Sequence, residues 1–141
     1  MKASLEAKTR YLQAIFDDPN FTRIIFYTIT RDSQDYQVAT LLSIASSVTA
    51  ASGGRPTKTV VVIDGLKRTE QLTIGTGLRR IGISTAKVRG VADEGDALVR
   101  LADAIAGLVR DADEGKSYAQ ALLASGIRKH ILQAQETFLG S

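Results

Sequence analysis

The chain contains no cysteine, so disulfides, thiolate nucleophiles, iron–sulfur clusters and cysteine-based zinc sites are excluded. It has one histidine, His130, which removes histidine-rich metal sites as well. Any metal has to be held by oxygen ligands, and that favours magnesium, calcium or manganese over zinc. Long apolar runs are also missing. Stretches such as Val60-Val61-Val62-Ile63 fall far short of the roughly 20 residues that a membrane helix needs, so no membrane partner is expected. The start, Met1-Lys2-Ala3-Ser4-Leu5-Glu6-Ala7-Lys8, enters a charged amphipathic pattern without a secretory apolar core, and the cytoplasm is the expected location. Charge of one sign is in small excess only. A net charge of +3 and a pI near 9.3 admit a polyanionic partner without deciding for one.

What is present is the content of one domain. At 141 residues and 44% hydrophobic, the chain can fill one core and hardly two. Leu5, Tyr11, Leu12, Ile15 and Phe16 recur at helical spacing over 4–17, up to the breaker Asp17-Asp18-Pro19-Asn20. Residues 21–30 are rich in β-branched and aromatic types and predict a strand. A helix over 35–52 follows, then the loop Ser52-Gly53-Gly54-Arg55-Pro56 and a second strand over 57–63, whose apolar run predicts burial on both faces. Helical spacing resumes with Leu66, Leu72, Ile74 and Leu78 and ends near Gly82, and 84–91 makes a third strand. Leu98, Leu101, Ala102, Ile105 and Val109 mark a helix over 94–112, closed by Glu114-Gly115. A final helix is expected over 117–138, bent at Ser125-Gly126. The order αβαβαβαα predicts an α/β fold with a short, mainly parallel sheet of about three strands, covered by helices.

Ligands of open α/β sheets bind beyond the carboxyl ends of the strands, and each expected strand delivers a carboxylate there. The first runs into Asp32, the second into Asp64, and the third toward Asp93 and Glu94. Together these are oxygen donors of the kind that hold Mg²⁺ or Mn²⁺. Asp32 and Asp93 also fit as helix N-caps. Asp64 ends a fully apolar strand, where a charge needs a reason. Asp103 lies mid-helix among small residues, an unfavourable position that asks for a partner. Arg100 supplies one in an ion-pair ladder with Asp96, Asp103 and Arg110. Arg79, Arg80, Lys87 and Arg89 flank the third strand's entrance as a candidate nucleic-acid phosphate patch, and the alternation of Lys87 with Arg89 equally fits a solvated strand face. Gly75-Thr76-Gly77 with Gly82 lacks the spacing and the preceding strand of a dinucleotide loop. His130 has no nucleophile or carboxylate nearby in sequence, so serine hydrolase chemistry lacks its base.

Val60-Val61-Val62-Ile63-Asp64, followed about forty residues later by Leu101-Ala102-Asp103-Ala104-Ile105-Ala106-Gly107, resembles the latter part of the RNase H-like family catalogued as domain of unknown function 3800. The likeness covers roughly residues 20–115. It implies an RNase H-like fold in which Asp64 and Asp103 are catalytic and metal-ligating acids of a two-metal nuclease site, with Asp93 or Glu94 as a further ligand, Mg²⁺ or Mn²⁺ as cofactor, and DNA or RNA as substrate. The family's opening Asp-Glu-Ser motif has no counterpart before residue 20. Where the family places Gln ahead of its Ala-Asp pair, Val99 and Arg100 stand here. The missing motif points to a carboxyl-terminal portion of a longer domain or to a reduced, inactive relative. A different expectation follows from the short sheet: its open edges invite strand pairing, which suits a non-enzymatic assembly module and a homodimer through sheet edges.

Overall fold

The structure, a computed structural model, describes residues 4–29, 36–55, 59–64, 67–83, 85–91 and 97–135, with the backbone alone at 36, 64, 85–87 and 89–91. The described residues form a mixed α/β arrangement of five helices and four short strands. The chain divides into two compact units, one from residues 1–27 with 101–133 and the other from 28–100 with 134–141.

In the first unit, α1 (Leu5–Asp17) opens with Ser4 as N-cap, its Oγ accepting from the Ala7 N–H at 3.1 Å. That satisfies one of the orphan donors of the first turn. The breaker turns through Asp18, whose Oδ1 accepts from the Asn20 N–H at 2.9 Å. The chain then enters β1 (Ile25–Thr28). Leu12 and Phe16 of α1 join Ile105, Leu108, Val109 and Ala112 of α4 (Ala97–Asp113), and Ala119 and Leu122 of α5 (Ser117–Arg128), in one buried cluster that Ile131 and Leu132 complete. Burying each large aliphatic or aromatic side chain stabilises the unit by about 1.5–3 kcal/mol.

The second unit holds α2 (Tyr36–Ser52), β2 (Thr59–Asp64), α3 (Arg68–Arg80) and β3 (Thr85–Val91). Strands β2 and β3 pair in parallel, with Val61 opposite Val88 and Asp64 opposite Val91. Val61, Ile74 and Leu78 form the buried centre, against which Leu41, Ile44, Ile63, Ile83 and Val88 pack. Gly75 and Gly77 are helical residues of α3. A Cβ at Gly77 would come within 2.8 Å of Leu41 Cδ1, so this glycine serves the close approach of α2 and α3.

Three expectations are corrected. The parallel sheet has two strands among the described residues, because β1 pairs with a fourth strand, β4 (Leu132–Gln135), and not with β2 or β3. The last helix stops at Arg128, and residues expected to continue it form β4. The apolar run of β2 is not buried on both faces: Val61 is buried, whereas Val60, one residue earlier on the other face, is 58% exposed. Successive strand residues point to opposite faces, and α3 with its partners covers only the face of Val61.

The end of α5 explains the missed stop. Helices α3 and α4 each close with a left-handed glycine, Gly82 (φ 88°) and Gly115 (φ 88°). Each glycine N–H donates to the carbonyl three residues back (Arg79, Ala112, both 3.1 Å), and the next N–H donates five residues back (Leu78 at 2.9 Å, Asp111 at 3.0 Å). This double bond pattern is the Schellman motif. At the end of α5 the same pattern runs from His130 to Ile127 and from Ile131 to Gly126, both at 3.0 Å, but the left-handed position is held by His130 (φ 60°). A residue with a Cβ costs about 1–2 kcal/mol there. His130→Gly is therefore expected to raise stability by about 1 kcal/mol in urea denaturation. An unchanged or lower midpoint would mean that the imidazole offsets its backbone strain by other contacts.

Candidate functional site

Among the sequence-predicted acids of the second unit, Asp64 is the one that falls on a described residue, at the carboxyl edge of the parallel pair. Asp64 is the last residue of β2, directly opposite Val91 at the end of β3, so the two strands terminate together. Asp93 and Glu94 follow Val91 in the chain and, like Asp32, lie outside the described residues. From the same edge the chain enters α3 through Lys67, whose backbone N–H donates to Glu70 Oε1 at 3.3 Å. The only carboxylate of α3 is thereby engaged at its own N-terminus, beside the positive end of the helix dipole.

Asp103 is exposed on the stretch of α4 that belongs to the first unit, whereas Asp64 belongs to the second. No ion pair joins Asp103 to Arg100 among the described residues, so that rung of the expected ladder is not made. Also among the described residues, no group of three or more acidic or histidine side chains comes together in a way that could hold a metal ion.

Of the candidate phosphate contacts, Arg79 and Arg80 are exposed at the carboxyl end of α3, ahead of the entrance to β3, and an Arg79 guanidinium nitrogen donates to Thr76 Oγ1 at 3.4 Å. Lys87 and Arg89 stand at the register positions of Val60 and Val62. Sequence reasoning missed Arg68, which shares with Arg79 the exposed side of α3. Its signal is the helix phase, read once the start of α3 is fixed at residue 68.

The best-defined electrostatic cluster lies elsewhere, at the α4–α5 turn. The Tyr118 hydroxyl donates to Asp111 Oδ2, and Lys116 Nζ stands 3.2 Å and Arg110 Nε 3.7 Å from Asp111 Oδ1. The tyrosine hydrogen bond, more than the Lys116 contact and the nearby positive charges, holds the Asp111 carboxyl below its ordinary value, against the opposing effect of burial. The same bond pushes the Tyr118 hydroxyl up. A carboxyl lowered in the folded state stabilises above its unfolded value, about 3.9, and this contribution is lost as pH falls through the lower folded value. Lys116, the N-cap of α5, and Tyr118 tie the end of α4 to the start of α5, which makes the cluster a turn lock, while Arg110 adds its charge from within α4. Tyr118→Phe is expected to be less stable than the native chain at pH 7, with the gap in unfolding free energy closing as pH drops below about 4. A gap that stays constant over that range would assign the effect of Tyr118 to packing alone.

No helix among the described residues is long and apolar enough to cross a membrane. No family model, curated protein or solved structure matches the chain.

Proposed function

We propose that this protein is an RNase H-like α/β domain that hydrolyses phosphodiester bonds of DNA or RNA with Mg²⁺ or Mn²⁺. The observation that carries the reading is the position of Asp64, a carboxylate closing an apolar parallel strand where its neighbour β3 also ends. Carboxyl ends of parallel strands are where α/β folds place ligands, and a charge at the end of such a strand needs a compensating partner. Asp64 would hold the ion at this edge, with Asp93, two residues past the end of β3 in the chain, as the further ligand that the resemblance implies. Their hard oxygen donors suit Mg²⁺ or Mn²⁺, and the cysteine-free composition admits no softer set. A divalent ion at such a site polarises the phosphoryl group and makes a bound water more acidic. The chain's own part is to present carboxylates at a strand edge and to attract the polyanion with cations along α3 and β3.

Cleavage of end-labelled DNA and RNA, assayed with Mg²⁺, with Mn²⁺ and with a chelator, tests this directly. Products that appear only with metal are expected, and intact substrates under every metal would remove the reading.

A second reading has its own observation. Parallel sheets are normally covered on both faces, yet Val60 is 58% exposed in a pair whose outer edges are unpaired among the described residues. That favours an assembly module, pairing with a second copy through a sheet edge. Sedimentation over a hundredfold concentration range separates the two: a mass rising from monomer to dimer supports assembly, and a constant monomer mass opposes it.

A further inference from the structure

The outward face of α3 combines guanidinium and hydroxyl groups with no acid. Ile74, Gly75 and Leu78 turn inward and are buried. The residues left exposed are Arg68, Thr69, Leu72, Thr73, Thr76, Arg79 and Arg80. At 100° per residue these seven fall within a single arc of about 140°, and Glu70 lies outside it. Its carboxylate is already turned to the Lys67 N–H.

Several cations of the first unit are tied to acids. In the first unit Arg10 pairs with Glu6, Arg110 with Asp111, Lys116 with Asp111 and Glu114, and Lys129 with Asp17. Arg68, Arg79 and Arg80 pair with no acid among the described residues. The surrounding segment sharpens the contrast, since residues 67–91 hold six cations (Lys67, Arg68, Arg79, Arg80, Lys87 and Arg89) against Glu70 alone. An excess of three charges over the whole chain thus conceals an excess of five within this segment.

We propose that this face of α3 is a docking surface for the phosphodiester backbone of a nucleic-acid strand. Arginine and threonine are among the side chains that donate hydrogen bonds to phosphate oxygens, and an acid-free surface imposes no repulsion on approach. The thirteen residues from Arg68 to Arg80, twelve steps of about 1.5 Å, rise about 18 Å. Along a duplex axis that spans on the order of five phosphates of one strand, at about 3.4 Å each. Arg68 and Lys67 lie at the end of α3 nearest Asp64 in the chain, and Arg79 and Arg80 at the other, so a strand docked along the helix runs toward the carboxyl edge of β2. Threonines 69, 73 and 76, with Leu72 (69% exposed) between them, present hydroxyl and methyl groups, the Thr73 hydroxyl donating to the Thr69 carbonyl at 3.1 Å and Thr76 Oγ1 accepting from Arg79 at 3.4 Å, but no base-reading amide or carboxylate. The contact is accordingly to the backbone, with little sequence preference. The inference rests on the nuclease reading only for the identity of the polyanion.

The test is fluorescence anisotropy with a labelled DNA duplex of about 20 base pairs and a single strand of the same length, in chelator, so that binding is measured without metal or cleavage. Arg68→Gln/Arg79→Gln/Arg80→Gln is compared with the charge-matched Arg10→Gln/Arg23→Gln/Arg128→Gln, and circular dichroism confirms that both retain their helices. The α3 variant is expected to weaken binding of the preferred probe by at least about tenfold. It should also flatten the slope of log K against log salt by about 2–3, at roughly 0.7–0.9 per lost phosphate contact. The control should shift by less than about threefold. Absence of saturable binding to either probe, or equal loss in both variants, overturns the surface. Metal-dependent cleavage that survives such a result would leave the nuclease reading standing, and binding lost specifically in the α3 variant of a chain without cleavage would leave the surface standing.

Discussion

Asp64→Asn is expected to lower metal-dependent cleavage by about 100-fold or more, equivalent to about 2.7 kcal/mol of barrier, while the far-ultraviolet circular dichroism stays that of the native chain. The change keeps size and hydrogen-bonding capacity but removes the charge that a hard divalent cation requires. Because Asp64 ends β2 opposite Val91, amide for carboxylate leaves the register between the strands untouched. Nuclease assays on purified Asp64→Asn and Asp103→Asn read the two acids separately. Equal losses would make Asp103 a partner in the same chemistry. A loss confined to Asp64→Asn would assign Asp103 to the solvated face of α4. Unchanged cleavage in Asp64→Asn would remove the strand edge as the active centre.

Gly126→Ala is expected to destabilise the protein by about 1–3 kcal/mol, although alanine is the better helix former by about 1 kcal/mol. A Cβ built on Gly126 would stand 2.6 Å from Leu132 Cδ1, 2.9 Å from its Cγ and 3.1 Å from Phe16 Cζ. Both neighbours are only 3% exposed and belong to the first unit's core. Both are packed in that core, so overpacking is expected to outweigh the gain in helix propensity. Urea denaturation checks the sign. A more stable variant would show that Leu132 and Phe16 yield more readily than their burial implies.

Gly126 also shows what the sequence made legible and what it did not. Placed next to Ser125 in a helical pattern, it reads as a bend. In the structure α5 continues through it, and its smallness admits Leu132 and Phe16, a tertiary contact that local spacing does not encode. The true stop comes four residues later at His130, where the left-handed turn carries no glycine to announce it. Beyond it Leu132-Gln133-Ala134-Gln135 includes good helix formers, and pairing with β1 overrides their propensity. Gly82 and Gly115, by contrast, mark the ends of α3 and α4 in the sequence itself.

The parallel pair was readable from alternation and from the Gly53-Gly54 loop ahead of β2, because a helix between two apolar strands leaves few other arrangements. The separation of β1 from that pair was not, since pairing across a hundred residues depends on which face finds a partner. Asp64 could be singled out because a charge after Val-Val-Val-Ile is chemically conspicuous. Arg68 was hidden because its place beside Arg79 appears only when the phase of α3 is known. The expected link between Arg100 and Asp103 failed because correct helical spacing makes an exposed ion pair available without making it form, and such pairs contribute little.

The central claim is that Asp64 belongs to a divalent-metal site at the end of β2, and calorimetric titration of Mg²⁺ and Mn²⁺ tests it most directly, with Asp64→Asn and Asp64→Asn/Asp103→Asn measured alongside the native chain. The account predicts saturable binding by the native protein that disappears in both variants. Heats indistinguishable from dilution in the native protein, or saturable binding that persists in Asp64→Asn, would contradict it.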